Sequence, residues 1–175
     1  LQRFEVLARR QGDMARVELC IQQAAQVRQN IERHGWDGEW YRRAYFDDGT
    51  PLGSSTNEEC QIDSIAQSWA VLSRVADPAR ARRAMESVDR RLVRRDDGLI
   101  RLFDPPFAKS ALEPGYVKGY PPGVRENGGQ YTHAAVWAVM AFAELNQTER
   151  AWELFSMINP IRHATNERDM NRYAV

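Results

Sequence analysis

The segment RENGGQYTH, residues 125–133, places charged and polar side chains around two glycines, immediately before a strongly apolar stretch. Gly128 and Gly129 allow the backbone to turn tightly, and Thr132 is predicted to be the N-cap of a helix. His133 then lies in the first helical turn, where free N–H groups and the positive end of the helix dipole attract anions. The spacing therefore indicates an anion site for a phosphate, a sulfate or a carboxylate.

Arg125 adds a second cation to this segment, and Glu126 and Asn127 add hydrogen-bonding groups. A purely local interpretation is also open. Glu126 and Asn127 would make ordinary turn and capping hydrogen bonds, and His133 would only occupy the start of the helix, because Gly-Gly pairs are common in such loops. The spacing alone does not choose between a binding site and a structural turn.

The acidic run Glu58, Glu59 and Asp63 in NEECQID is a second candidate site. Paired carboxylates can act as general acid and general base when their surroundings separate their pKa values. We favour a solvated helix entry with Asp63 or Ser64 as the N-cap, because nothing in the sequence indicates that the carboxylates are buried together.

Other catalytic and metal-binding patterns are absent from the sequence. It contains no His-Glu-x-x-His, Gly-x-Ser-x-Gly, P-loop or dinucleotide fingerprint, so neither a metal nor an organic cofactor is predicted. Cys20 and Cys60 are too few for a disulfide framework, which favours a reducing compartment. The 24 basic and 24 acidic residues balance, which argues against nucleic acid or an anionic membrane as the main partner.

The apolar residues indicate a soluble chain. The longest apolar run, residues 134–143, is far shorter than the ~20 residues of a membrane-spanning helix, and the first residues do not resemble a signal peptide. We therefore expect a cytoplasmic location, either as a free protein or as the cytoplasmic side of a bacterial inner-membrane protein.

Hydrophobic spacing and capping residues divide the chain into helices and short hairpins. Helices are predicted to begin near Phe4, Asp13, Asp63, Asp77-Pro78, Thr132 and Thr148. Two β-hairpins are predicted, with the first turn at Asp48-Gly49 and the second within RRDDGLIRLF. The arginines of the helix after Pro78 are interpreted as a solvated face. Residues 102–130 hold most of the prolines and glycines, and a loop of this length is usually functional or disordered.

An internal echo supports this division. SWAVLSRVADPARARRAMESV and VWAVMAFAELNQTERAWELFSMI each begin with Trp-Ala-Val, break, and resume with a second helix at Arg-Ala. Each is a helical hairpin in which the apolar helix comes first. Stacked hairpins of this kind form solenoids or closed α/α toroids. We predict an all-α fold with minor β-hairpins in the loops.

Three blocks in this order, GEWYRRAYFDDGTPLGS, CQIDSIAQSWAVLS and RENGGQYTHAAVWAVMAF, resemble the catalytic domain of glycoside hydrolase family 94. The likeness extends over nearly the whole chain and is strongest to the C-terminal region of the cyclic β-1,2-glucan synthases. It implies an (α/α)6 barrel and an inverting phosphorylase, in which inorganic phosphate attacks the anomeric carbon while an aspartic acid protonates the departing oxygen.

The resemblance also implies roles for individual residues. His133 would be a phosphate ligand, and Glu126 would hydrogen-bond sugar hydroxyls. Arg125 and Tyr120 would lie near the acceptor side. Inorganic phosphate would be a co-substrate, and no cofactor is implied.

One feature of the family is missing from these 175 residues. The family's general acid lies in a Gly-Asp-Trp-Asn-Asp type motif, which the resemblance places upstream of Leu1. GWDGEW is only a superficial echo, because it belongs to the first hairpin block, and Asp37 is not predicted to be the acid. We therefore expect residues 1–175 to be a partial barrel, truncated at both ends, without a catalytic acid and inactive alone.

The function implied by the resemblance is phosphorolysis of β-1,2-glucan to glucose 1-phosphate, which would set chain length before cyclisation. Two alternatives remain open. One is another family specificity, such as a cellobiose-type disaccharide phosphorylase. The other is a non-catalytic helical module that binds carbohydrate. The expected partners are a β-glucan oligosaccharide, phosphate, the rest of a larger polypeptide and a second copy in a homo-oligomer.

Overall fold

The computed structural model describes residues 1–111 and 113–173 and is mostly helical, as predicted. The helices are α1 (Gln2–Arg10), α2 (Met14–Asn30), α3 (Ser64–Leu72), α4 (Pro78–Arg91), α5 (Thr132–Glu144), α6 (Thr148–Ile158), α7 (Pro160–His163) and α8 (Glu167–Tyr173). The strands are β1 (Ala44–Tyr45), β2 (Pro51–Leu52), β3 (Ile62–Asp63), β4 (Val93–Arg94), β5 (Leu99–Ile100) and β6 (Phe103–Asp104). No helix in the described ranges is long and apolar enough to cross a membrane.

The central contact of the fold is between α3 and α5, the first helices of the two predicted hairpins. Helix α4 packs on α3, and α6 packs on α5. The buried residues of α5 are mostly alanines, and those of α3 are mostly small, so the two helices can approach closely. Trp69 and Trp137 occupy equivalent positions in the internal echo, and their ring centroids lie 5.3 Å apart.

The capping residues of α3 and α4 explain where these helices begin. Asp63 Oδ1 accepts hydrogen bonds from the amides of Ile65 and Ala66, at 2.8 and 3.2 Å. Asp77 caps α4 in the same way, with Pro78 in the first turn. The predicted starts of both helices are therefore confirmed.

The prediction that Thr132 caps α5 is wrong by one residue. Tyr131 is the N-cap, with extended backbone angles, and its carbonyl accepts the amide of Ala135. Thr132 is therefore already helical, and the N-cap residue Tyr131 makes no side-chain capping bond. This shift places His133 at the second helical position, still within the first turn.

The two predicted hairpins are present, and a third strand pair was not foreseen. Strand β1 pairs antiparallel with β2 across a turn at Gly49, whose φ is +83°, and β4 pairs with β5. Strand β3 pairs with β6, with Ile62 opposite Asp104. This third pair joins the start of α3 to the long loop before α5, and so it fixes where that loop begins.

The arginines of α4 do more than cover a solvated face, which was their predicted role. Arg83 and Arg90 both contact the carboxylate of Glu39, at 2.5 and 3.1 Å, and Arg80 contacts Glu32 at 2.6 Å. Each of these pairs is partly or largely exposed, so each contributes little to stability. Together they align α4 with the segment between α2 and the first hairpin.

Asp37 lies before the first hairpin and hydrogen-bonds to the segment that follows the hairpin. Its Oδ1 accepts from Ser54 Oγ at 2.9 Å and Arg42 Nε at 2.7 Å. Its Oδ2 accepts from the amide and hydroxyl of Ser55, at 2.7 and 2.8 Å. Burial raises the pKa of Asp37, but hydrogen bonds from Ser55, Ser54 and Arg42 outweigh burial and hold the pKa below its ordinary value. An ionised carboxylate of this kind is a structural acceptor.

Asp37→Asn is expected to lower the free energy of unfolding at pH 7 by about 1–2 kcal/mol, because a charged acceptor is lost from a partly buried network. A lowered folded-state pKa gives stability above the unfolded pKa that disappears as pH falls through the folded value. The gap between wild type and variant should therefore shrink below about pH 4. Urea denaturation from pH 7 to pH 3 measures this, with exposed Asp47→Asn as the control. A gap that stays constant with pH contradicts the assignment.

Candidate active site

A cavity of about 270 Å³ lies where the N-terminal ends of α3 and α5 meet. The N-caps of both helices, Asp63 and Tyr131, line it, and the loop before α5 contributes Glu126. Because both N-termini reach one cavity and the mid-helix tryptophans touch, the two helices run side by side in the same direction. The cavity volume is near the lower end of the range for ligand pockets. Its apolar wall includes Ile65, Leu102, Phe103, Phe107 and Val117.

The lining of the cavity includes a buried carboxylate, Asp63, and an arginine, Arg43. Arg43, from the first hairpin, approaches Asp63 Oδ1 to 3.3 Å. Burial raises the pKa of Asp63, and Arg43 together with the amides of Ala66 and Ile65 opposes that rise. Asp63 thus caps α3 and also presents polarity to the cavity. Arg43 was not singled out in the sequence, because its hairpin lies 20 residues before its partner.

Glu126 lines the cavity, and one of its carboxylate oxygens has no hydrogen-bonding partner among the described residues. Its Oε2 is buried and makes no hydrogen bond within the described part of the chain. The Nε of Arg125 lies 3.6 Å from Oε2 of Glu126, which is beyond hydrogen-bonding distance. A buried acceptor left unsatisfied costs free energy, and an O–H donor from a ligand would satisfy it. Oε2 of Glu126 therefore does not make the turn hydrogen bond that the local interpretation expects.

That local interpretation is right for Asn127. Its side chain is fully buried and accepts from the amide of Phe107 at 2.8 Å. Its Nδ2 donates to the carbonyls of Phe107 and Tyr120, both at 2.8 Å. Asn127 therefore ties three parts of the long loop together and fixes the position of its neighbour Glu126.

Tyr120 and Arg125 form a pair beside Glu126. The guanidinium carbon of Arg125 lies 5.0 Å from the centroid of the Tyr120 ring, within cation–π range. Arg125 has a left-handed backbone, with φ of +49°, and its side chain is largely exposed. The Tyr120 ring also contacts Tyr116, which lines the cavity, with centroids 6.3 Å apart. This pair leaves a cation on the surface next to the buried carboxylate.

His133 lies beside the cavity and is exposed. Its ring packs on Tyr131, which lines the cavity, with centroids 4.4 Å apart, and on Trp137 at 4.6 Å. Neither ring nitrogen hydrogen-bonds to any residue that the structure describes. His133 is the second residue of α5, where backbone N–H groups lack intrahelical acceptors. The imidazole is therefore available to an anion at this helix start.

The acidic run before α3 does not form a carboxylate pair. Glu59 accepts from the amides of Lys109 and Ser110, at 2.8 and 3.1 Å, and so holds the long loop. Glu58 is exposed, and only Asp63 reaches the cavity. Elsewhere in the described ranges, no cluster of His, Cys, Asp and Glu is suited to a metal ion.

A larger groove of about 830 Å³ lies away from these residues, between α2 and the C-terminal half of α3. Val27, Ile31 and Trp69 contribute to its lining. None of the four predicted ligand residues lines this groove in the part of the chain described. The smaller cavity is the better candidate site because it combines burial with converging polar groups.

The chain matches the model of the Glycosyl hydrolase 94 superfamily catalytic domain over residues 1–174. It therefore belongs to this superfamily and carries sequence of its catalytic domain.

Three relatives show the range of related proteins. The chain is 50% identical over 175 residues to the cyclic beta-(1,2)-glucan synthase NdvB of Rhizobium meliloti, covering 100% of this chain and 6% of that protein. It is 31% identical over 140 residues to a solabiose phosphorylase of Paenibacillus borealis, covering 80% of the chain and 18% of the relative. It is 32% identical over 162 residues to an N,N'-diacetylchitobiose phosphorylase of Vibrio proteolyticus, covering 91% and 20%. The chain thus spans a fifth or less of each.

The loop that presents Glu126 depends on close backbone packing at Gly129. A Cβ at this position would lie 2.8 Å from the Gly123 carbonyl oxygen and 2.9 Å from two backbone atoms of Arg125. Gly129→Ala is therefore expected to lower the free energy of unfolding by about 1–3 kcal/mol. Gly119→Ala is the matched control, because a Cβ there meets nothing within 4 Å. Urea denaturation of both variants tests this, and equal stabilities contradict the described loop conformation.

Proposed function

We propose that this chain is a segment of the catalytic domain of a longer glycoside phosphorylase, acting on β-1,2-glucan and inorganic phosphate to release glucose 1-phosphate. The observation that carries the proposal is the buried Oε2 of Glu126, which makes no hydrogen bond within the described residues and lines the same cavity as Tyr131. The exposed imidazole of His133 packs on that tyrosine. One group suits a sugar hydroxyl and the other suits phosphate. The choice of glucan is supported by the 50% identity to NdvB, whose name specifies a cyclic β-1,2-glucan.

The proposed architecture is part of an (α/α)6 barrel. Helices α3 and α5 are adjacent and point the same way, and α4 and α6 each return alongside one of them. Large apolar side chains of α1 and α2 are exposed, including Phe4, Leu7, Leu19, Ile21 and Val27. Faces of this kind suit contact with further helices, and the relatives extend well beyond the matched length. Residues 1–175 would then be one piece of the domain.

The proposed reaction is an inverting displacement. Phosphate oxygen attacks the anomeric carbon as the glycosidic C–O bond breaks, and an acid protonates the departing oxygen. Phosphate needs no general base, so the protein must mainly neutralise and orient a dianion. His133 and the first N–H groups of α5 suit that task. Glu126 would accept a hydrogen bond from a sugar hydroxyl, and Arg125 and Tyr120 would lie near the acceptor side.

The proton donor is proposed to come from outside these 175 residues. The family's acid motif does not occur in this sequence, and Asp37 is committed to structural hydrogen bonds. The isolated chain would therefore be inactive. In a cyclic glucan synthase, phosphorolysis of linear glucan ends would set the chain length before cyclisation. The expected setting is the cytoplasmic side of the cell.

A disaccharide specificity is the second candidate, favoured by the matches to solabiose and diacetylchitobiose phosphorylases. Both candidates use the same phosphate chemistry and differ in the sugar. A comparison of β-1,2-glucan with cellobiose as substrate, at equal phosphate, separates the two. Sugar binding without turnover by the complete polypeptide would instead indicate a non-catalytic module.

The complete polypeptide is expected to release glucose 1-phosphate from β-1,2-glucan only when phosphate is present. His133→Ala should lower kcat/KM for phosphate by about 10- to 100-fold, because one charge-assisted contact is lost. His34→Ala is the control, because His34 is exposed and Arg42 and Tyr45 hydrogen-bond to its backbone carbonyl, which the substitution keeps. Equal phosphate kinetics in wild type and His133→Ala would exclude the assigned role.

Glu126→Gln tests the sugar contact in the same assay. The neutral amide is a weaker acceptor than the carboxylate, so we expect the glucan KM to rise about tenfold, with the phosphate KM unchanged within twofold. A rise in the phosphate KM alone would show that Glu126 acts on phosphate and not on the sugar. The 175-residue chain alone is the second control, and phosphorolysis by it would show that the acid lies within these residues.

A further inference from the structure

Four aromatic rings are in sequential contact from the start of α5 to the middle of α3. Tyr131 contacts His133 at a centroid distance of 4.4 Å, and His133 contacts Trp137 at 4.6 Å. Trp137 in turn contacts Trp69 of α3 at 5.3 Å. The interplanar angles of the three contacts are 75°, 77° and 74°, so every contact is edge-to-face. Edge-to-face packing is a favoured geometry for aromatic pairs.

These contacts are the ones that orient the imidazole of His133. Its ring nitrogens make no hydrogen bond to any described residue, and the side chain is otherwise exposed. A histidine used as a ligand is usually fixed by a hydrogen bond to its second nitrogen. Here contacts with a tyrosine and a tryptophan take that place, and both nitrogens stay available for a ligand.

Helix geometry explains how one ring reaches the next. Trp137 follows His133 by four residues, so both lie on one face of α5, one turn apart. Trp69 and Trp137 are each the sixth residue of their helix. The contact between them locks the Trp137 ring against α3. The orientation of His133 therefore depends on the packing of α3 against α5, and not on α5 alone.

We propose that Trp137 is a positioning residue that holds the imidazole of His133 in place for phosphate, with Tyr131 as a second contact and Trp69 as the support for Trp137. This inference rests on the proposed phosphate role of His133. A ring that is already ordered does not lose side-chain freedom when the anion binds. Loss of the Trp137 ring should therefore weaken phosphate binding and leave glucan binding unchanged, because Glu126 is positioned separately by Asn127.

The test uses steady-state phosphorolysis by the complete polypeptide, with phosphate and β-1,2-glucan each varied at saturating levels of the other. Trp137→Leu is expected to raise the phosphate KM about threefold to tenfold and to change the glucan KM by less than twofold. Trp137→Phe keeps an aromatic ring and should restore a phosphate KM within about twofold of wild type. Trp152→Leu is the matched control, since Trp152 is exposed and its ring contacts Phe155.

A double-mutant cycle separates this inference from the proposed function. In a His133→Ala background, Trp137→Leu should have no further effect on the phosphate KM, because the two residues act as one unit. If His133→Ala has no effect, or if no phosphorolysis occurs, the proposed function fails and the inference fails with it. If His133→Ala raises the phosphate KM and Trp137→Leu does not, only the inference is wrong.

Folding of the variants is checked by circular dichroism and thermal denaturation. Trp137 is half-buried, so Trp69→Leu provides a second route if Trp137→Leu does not fold. Trp69 is 44% exposed. Its substitution removes the support of the Trp137 ring and leaves the sequence of α5 unchanged. Trp69→Leu should raise the phosphate KM about two- to threefold. Equal increases in the KM for both substrates, in either variant, would indicate general damage and overturn the positioning role.

Discussion

The structure depends on the close, same-direction packing of α3 against α5. Small buried residues on both helices allow that approach, and the equivalent tryptophans of the internal echo, Trp69 and Trp137, meet across it. Because the helices run side by side, both N-termini open onto one cavity. This constraint brings a helix cap, Asp63, and a helix start, at His133, into one region. Local sequence could not place them together, since α4, strands β4 to β6 and the long loop lie between α3 and α5.

The loop before α5 is held by backbone and side-chain contacts, and it also carries a carboxylate oxygen, Oε2 of Glu126, that makes no hydrogen bond in the described ranges. Asn127 makes three short hydrogen bonds across the loop, and Gly129 lets the backbone pack on itself. Glu126, between these fixed points, has a buried oxygen that bonds to nothing in the described ranges. Stable folds rarely leave such an acceptor unpaired without a functional reason. The hydrogen bonds of Asn127 therefore fix the loop, and Glu126 Oε2 takes part in none of them.

Sequence patterns predicted the parts of this fold that depend on local signals. Asp63 and Asp77 marked helix starts because an N-cap acts on amides two or three residues ahead, and Gly49 marked a turn because the left-handed backbone favours glycine. The pairing of β3 with β6 was missed, since two-residue strands far apart in sequence carry no local pattern. The sequence does not distinguish the roles of Glu126 and Asn127. Their hydrogen bonds do, because the Asn127 side chain makes three and Glu126 Oε2 makes none within the described residues. Arg43 was missed because its partner Asp63 lies 20 residues further along the chain.

The most direct test of the account is a crystal structure of the complete polypeptide with phosphate and a β-1,2-linked disaccharide. The account predicts a phosphate oxygen within about 3 Å of an imidazole nitrogen of His133 and a sugar hydroxyl at the same distance from Glu126 Oε2. The Trp137 and Tyr131 rings should contact His133 as they do without ligand. Phosphate bound away from the start of α5, or a Glu126 that turns away from the sugar, would contradict the account.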